Sequence, residues 1–326
     1  CPYGKTRLVS SSDKGEHWSE PKTINDTPLD DRDAGITILR SGNILISWFT
    51  ADDSRFKEYR HQYGKAVVDR WQRHLDTIGK EVTANWIGNW TRRSIDGGQT
   101  WEEPTNSIAS APHGPIELND GRLLYVGTAE YGNGPTKYDW PQSQTEHGVA
   151  YSTVAVESVD EGRSWNPVGT IPVSQEDIEN LTFHEPHAIE LDNNEIISVW
   201  RCHDRKNPHH DTHMRQSTSM DGGKSWTVTQ PIPVLGYPPH LLKLCDGNLL
   251  LSYGYRKPAF GQRARMSFDK GVSWGKEIIL RSDAHNDDLG YPASLEIEPG
   301  ELLTVYYQID KLGEKTSLMA TRWSIE

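Results

Sequence analysis

At 326 residues the chain is long enough to bury a core as one large or two small domains, and 35% hydrophobic content with 12 Trp and 28 Gly describes a turn-rich globular protein packed on large rings. A formal net charge of -12 excludes general nucleic-acid binding, because neutralising phosphates needs clustered Lys and Arg that acids do not offset. No run of 18 apolar residues exists, so no membrane span is expected; no signal peptide is visible in this chain, and three cysteines (Cys1, Cys202, Cys245) are too few for a disulfide framework.

In chain order, the sequence opens on a strand, "KTRLVSSSD", that runs into a Ser-x-Asp-x-Gly-x-x-Trp box at Ser11, Asp13, Gly15 and Trp18. "DAGITILRSGNILISWF" follows, two apolar or alternating runs around a short Gly/Asn turn, which predicts a hairpin. Over about residues 54 to 78 the period changes: Val68, Trp71, Leu75 and Ile78 follow helical spacing and predict a helical insertion. A second box (Ser94, Asp96, Gly98, Trp101), the hairpin "GPIELNDGRLLYVG" and a third box (Ser158, Asp160, Gly162, Trp165) come next. Then come "HAIELDNNEIISVWR", a fourth box (Ser219, Asp221, Gly223, Trp226), "HLLKLCDGNLLLSYGYR" and a fifth (Ser267, Asp269, Gly271, Trp274). The chain closes with "ASLEIEPGELLTVYYQ" and a final strand, "SLMATRWSIE".

The box aspartates are separated by 83, 64, 61 and 48 residues, near the size of a four-stranded propeller blade plus loops. Each unit reads as an inner hairpin, a third strand ending at the box, and an outer strand after the Trp, as in "SWTVTQPIPV". The fold expected is an all-β, single-domain propeller over residues 1–326. The strand left over at 316–324 favours six blades, the first incomplete, over five. Boxes then lie at one end of the propeller, as turn fasteners in which Ser and Asp bond turn backbone, Gly supplies an unusual φ and Trp packs between sheets. At the other end, inner-strand starts and second-strand ends bring polar residues together. Residues equidistant from a hairpin turn face each other, which pairs Glu185 with Arg201, His240 with Arg256 and Tyr291 with Gln308.

These boxes resemble those of the sialidase superfamily. The resemblance implies a glycoside hydrolase that releases a terminal acidic sugar, most often sialic acid, with a Tyr nucleophile, a Glu partner, Arg residues on the substrate carboxylate and an Asp acid/base. Carried over residue by residue, Tyr291 in "GYPASL" resembles the nucleophile and Glu185 in "FHEPH" its partner, with Arg201 and Arg256 as carboxylate ligands. The first Arg and the acid/base Asp belong, in the family, to a first inner hairpin that this chain is expected to lack. Arg32 and Asp33 in "DDRDAG" are the substitutes at hand, Asp33 as acid/base, although they match a substrate-pocket position better. His113, His184, His187, His240 and Gln308 complete the expected substrate-binding set. A phenol suits this chemistry, since a sugar carrying a carboxylate on its anomeric carbon repels an anionic nucleophile.

The histidines also raise a metal site, but His-x-x-His at a strand start lacks the spacing of helical zinc hydrolases, so no metal and no cofactor is expected. Two further functions stay open: a propeller glycosidase or uronate lyase with His as acid/base, and a carbohydrate-binding propeller without turnover. A glycan is the partner expected in every case, and glycan degradation implies a secreted or periplasmic setting.

Overall fold

The alternating and apolar runs form strands wherever β-branched and aromatic residues outweigh turn formers, and the Gly/Asn/Asp pairs between them close the hairpins. The computed structural model describes residues 2–52, 64–130, 140, 144–146, 149–191, 194–207 and 212–325. Blade one pairs Asp30–Ile38, Ile44–Ala51, Gly88–Ser94 and Thr105–Asn106; blade two pairs Ile116–Glu117, Leu123–Glu130, Val149–Ser158 and Asn166–Thr170, with Gln144–Glu146 beside the third strand. Blade three is Leu181–Glu190, Ile196–Asp204, His213–Ser219 and Gln230–Leu235, and blade four Pro239–Lys243, Leu249–Tyr255, Gly261–Ser267 and Ile278–Ile279. Blade five has three strands, Gly290–Glu298, Glu301–Ile309 and Thr316–Ser324. All pairings are antiparallel, and buried Leu, Val, Ile and Trp side chains fill the spaces between blades.

The propeller has five blades, not the six expected from the ends of the sequence. The opening strand, Thr6–Leu8, pairs only with Lys22–Asn25 in a small two-stranded sheet, and the closing strand stays in blade five. The small sheet sits between the last and first blades. A Cβ on Gly15 of its box would lie 2.9 Å from Leu303 of blade five, while Leu8 and Ile24 pack with Ile46 and Trp48 of blade one.

The helical insertion forms Lys65–Leu75, burying Val68 and Trp71, and a second helix, Lys80–Trp86, that the period did not signal. Residues 53–63 of the expected insertion lie outside the described residues.

The first box closes the turn of the two-stranded sheet, and each of the other four closes the turn after the third strand of its blade. In the fourth, Ser219 Oγ donates to Asp221 Oδ1 and accepts the Gly223 N–H, both at 2.9 Å, and Trp226 Nε1 donates to Gly223 O at 2.9 Å. Gly223 holds φ 92°, open to Gly without penalty. Asn43, in the blade-one hairpin turn, donates to Glu161 of the third box at 2.7 Å, so boxes and inner-hairpin turns share one end of the propeller. The inner strands begin at the other end.

Candidate active site

At that end the inner strands of blades one, three and five each carry one extra residue at the same height. Registry passes from Arg32–Phe49 to Gly35–Ser47, from His184–Arg201 to His187–Val199 and from Gly290–Tyr307 to Ala293–Val305. Asp33–Ala34, Glu185–Pro186 and Tyr291–Pro292 therefore oppose the single residues Trp48, Trp200 and Tyr306, whose side chains are essentially wholly buried. The first residue of each bulge is left-handed, with φ 50° at Asp33, 43° at Glu185 and 53° at Tyr291. Such backbone costs on the order of 1 kcal/mol for a non-glycine residue and takes a side chain out of the alternating row. Here the three side chains redirected are two carboxyls and a phenol.

Their groups meet. The Tyr291 hydroxyl donates to Glu185 Oε1 at 2.5 Å, and Arg201 Nη1 donates to Glu185 Oε2. Arg201 Nε donates to His203 Nε2 at 2.7 Å, and its guanidinium lies 4.0 Å over the Tyr237 ring. Arg256 approaches the same ring at 5.0 Å and donates from Nη2 to the Tyr307 hydroxyl at 3.3 Å. Its Nε is buried without a partner, and its Nη2 lies 3.6 Å from where a Cβ on Gly290 would stand, next to Tyr291. Among the described residues no carboxylate pairs with Arg256, so this guanidinium has capacity for an anion. Electrostatics separate the two carboxyls. Burial, then the Glu185 charge, push Asp33 up to about 7. Burial also works to raise Glu185, but Arg201 outweighs it and holds Glu185 below its usual value, hence ionised. Burial and the Glu185 charge hold the Tyr291 phenol protonated, well above its usual value. Displaced in opposite directions, the carboxyls suit an acid and a base.

A BNR repeat-like domain family model matches residues 49–304. The chain belongs to that family. Among solved structures, a protein of unknown function from Dyadobacter fermentans is 23% identical with TM-score 0.74, over 99% of this chain and 84% of its own. A sialidase designated Hadza microbial is 17% identical with TM-score 0.60, over 93% of this chain and 57% of its own. An α-L-arabinofuranosidase of Fusarium graminearum is 15% identical with TM-score 0.60, over 98% and 84%. These likenesses show the propeller fold. No curated protein sequence matches.

In this BNR repeat-like chain the other expected residues divide into three groups. His184 flanks Glu185, stacked on Tyr151 at 6.1 Å and edge-on to His203 at 5.8 Å. His113, in the turn before the inner strand of blade two, meets His187 and His240, on the inner strands of blades three and four, with ring centroids 4.7 to 5.3 Å apart. The Leu241 N–H donates to His187 Nδ1 at 2.9 Å and the Ser294 N–H to His240 Nδ1 at 3.4 Å, leaving Nε2 as the protonated nitrogen of each neutral ring. Burial holds all three below their usual value, His240 at about 4. No group of three or more His, Cys, Asp or Glu among the described residues is placed to hold a metal; residues 208–211 of the His-rich run lie outside them. Arg32 pairs with Asp30 beside Asp33. Gln308 does not join the site: it is buried, and its Nε2 donates to Asp283 at 3.4 Å.

The equidistance rule misplaces these partners. Arg201 pairs with His184, and the Tyr291 bulge lies across from Tyr306, not Gln308, while Tyr307 pairs with Gly290 and brings its ring 5.9 Å from that of Tyr291. In blade four His240 pairs with Ser252, and Arg256 lies just past the strand. Sequence reasoning assigned no role to His203, Tyr237 or Tyr307. Period-two alternation from Arg201 points to His203, and an aromatic next to each strand end was the signal for the other two.

Proposed function

We propose that this protein is a retaining exo-glycosidase acting on a terminal sugar that carries a carboxylate, with sialic acid the leading substrate. The observation that carries this reading is the Tyr291–Glu185 hydrogen bond of 2.5 Å beside Arg256, whose guanidinium has no carboxylate partner among the described residues. The phenol is neutral, so it approaches an anionic sugar without repulsion, and ionised Glu185 is placed to take its proton as the oxygen attacks. Arg256 holds the carboxylate; Arg201 orients Glu185 and shares the anion's field. In the first step the Tyr291 oxygen bonds to the anomeric carbon, the glycosidic bond breaks, and protonated Asp33 gives its proton to the leaving oxygen. In the second, water attacks the same carbon as Asp33 takes its proton, the bond from that carbon to the Tyr291 oxygen breaks, and Glu185 returns the phenolic proton to the released oxygen. The sialidase and arabinofuranosidase with this fold support the glycosidase class.

The test is release of free sugar from sialylated, uronate-bearing and arabinose-bearing glycosides by the wild type and by Tyr291→Phe. Sialic acid released by the wild type alone fits the proposal, and release of arabinose alone would replace the acidic sugar with a neutral one. An unsaturated uronate product would select a lyase using the axial histidines, and binding without turnover would select a carbohydrate-binding propeller.

A further inference from the structure

Two arginines of the site share one aromatic ring. Tyr237, 9% exposed, stands just before the inner strand of blade four, and the Arg201 and Arg256 guanidiniums lie 4.0 and 5.0 Å from its ring centroid. The negative face of a ring attracts a cation, most strongly where water is excluded. This ring is fixed from its backbone outward. The Tyr237 N–H donates to Gly254 O at 2.9 Å, and Gly236, which precedes it, holds φ 141°, a conformation that side chains resist. A Cβ on Gly236 would lie 2.5 Å from the Tyr253 ring, and one on Gly254 would lie 2.9 Å from Tyr237 O and 2.8 Å from Gly290 Cα. The backbones of blade four and of the residue before Tyr291 therefore close directly on Tyr237, which ties the place of its ring to that of the phenol. His203 holds the ring edge-on at 4.9 Å and also accepts the Arg201 Nε–H at 2.7 Å. Arg201 gives its other bond, from Nη1, to Glu185, and its Nη2 makes none among the described residues. Arg256 gives one bond, from Nη2 to Tyr307, and its Nε is buried without a partner. Both guanidiniums are thus anchored on one side and unpaired on another.

We propose that Tyr237 is a positioning residue, its one ring setting Arg201 and Arg256 as a paired clamp for the two oxygens of a planar carboxylate on the substrate. The proposal rests on the acidic-sugar reading above and adds to it the residue that holds the clamp in shape. Two guanidiniums repel each other, and without a shared anchor each would turn toward water or the nearest acceptor. Against the ring they stay in place, with Arg201 Nη2 and the unpaired Nε edge of Arg256 left for the anion. The same arrangement rejects a neutral group at that place, because an ester or alcohol leaves both cations desolvated without an anion. Tyr237 thereby acts on selectivity for acidic over neutral sugars and takes no part in making or breaking bonds.

N-acetylneuraminic acid and its methyl ester, in which the carboxylate is neutral, serve as probes, titrated calorimetrically into the full 326-residue chain. Tyr237→Leu and Tyr237→Met, which remove the ring and keep apolar bulk, are each expected to weaken binding of the acid at least about tenfold and to leave that of the ester within about twofold. Tyr237→Phe keeps the ring and should bind both probes as the wild type does. In nitrogen–proton spectra the Nε–Hε signals of Arg201 and Arg256 should move in Tyr237→Leu and Tyr237→Met and stay in place in Tyr237→Phe. Equal losses for acid and ester, an equal loss in Tyr237→Phe, or wild-type affinity for the acid without the ring overturns the proposal and leaves the acidic-sugar reading standing. A wild type that binds neither probe removes the acidic-sugar reading instead; Tyr237 as a positioning residue is then decided by the arginine signals, and falls if either stays in place in Tyr237→Leu.

Discussion

Where the boxes close their turns, the same side chains recur five times; at the opposite end a backbone bulge recurs three times and carries a different side chain each time. At the box end the bonds are local and saturated. Asp221 accepts from Ser219, Lys224 and Ser225 within one turn, and those bonds, led by the Ser225 hydroxyl, hold its carboxyl down at about 2. At the bulge end the partners come from distant parts of the chain, as with Tyr291 and Glu185, 106 residues apart, and burial pushes Asp33 and Tyr291 upward. Identical side chains on a repeated backbone mark a fastener, and differing side chains on a repeated backbone mark a place where groups are presented.

The contrast can be broken or sharpened by substitution, and the largest effect on turnover is expected at Tyr291. Tyr291→Phe should lower kcat at least about a thousandfold with the thermal midpoint unchanged, since the phenol is the proposed nucleophile. Asp33→Asn should cost about a hundredfold on glycosides with poor leaving groups and much less on an activated aryl glycoside that needs no protonation. Wild-type activity should fall as pH rises through about 7, where Asp33 loses its proton. Because its folded value lies above the unfolded one, stability should also fall as pH rises between them, and Asp33→Asn should remove that slope in unfolding experiments. Arg256→Lys should raise KM about ten- to a hundredfold with a smaller change in kcat, as planar two-point binding is lost.

Histidine titration has the opposite sign. Burial holds His240 at about 4 in the folded chain, so stability should fall as pH drops from the ordinary histidine range through that value. Because Asp33 contributes the opposite slope over the same window, the check is made in Asp33→Asn, where a flat stability profile would refute a neutral axial ring. At the other end, Asp221→Ala should cost about 1 to 2 kcal/mol of stability and leave any measured kcat and KM of the folded chain unchanged. A box substitution that changed kcat at constant stability would undo the contrast between the two ends.

The strands and boxes were legible because each blade repeats one pattern of hydrophobic period and turn residues. The blade number was not, because a leftover strand at 316–324 looks the same in sequence whether it completes blade five or begins another. Glu185, Tyr291, Arg201 and Arg256 could be named from their places at strand ends and from the family resemblance, which also gave Glu185 as the partner of Tyr291, but the strand register around them could not. One inserted residue shifts everything beyond it by one place, so Arg201 faces His184; in blade five two such irregularities, at Gly290/Ala293 and Glu296/Glu298, bring Tyr307 opposite Gly290. Left-handed backbone at Asp, Glu and Tyr leaves no compositional trace, unlike the glycines of the boxes. The Arg201–His203 bond was also out of reach, since it depends on side-chain rotation within one strand.

The bulges opposite Trp48, Trp200 and Tyr306 also bear on how such a protein diversifies. Each is a socket backed by a buried ring, and each presents a different residue. If the proposed roles hold, the groups at Asp33, Glu185 and Tyr291 can be exchanged one at a time with no need to rebuild the frame, so new chemistry on this scaffold should arise by single substitutions there.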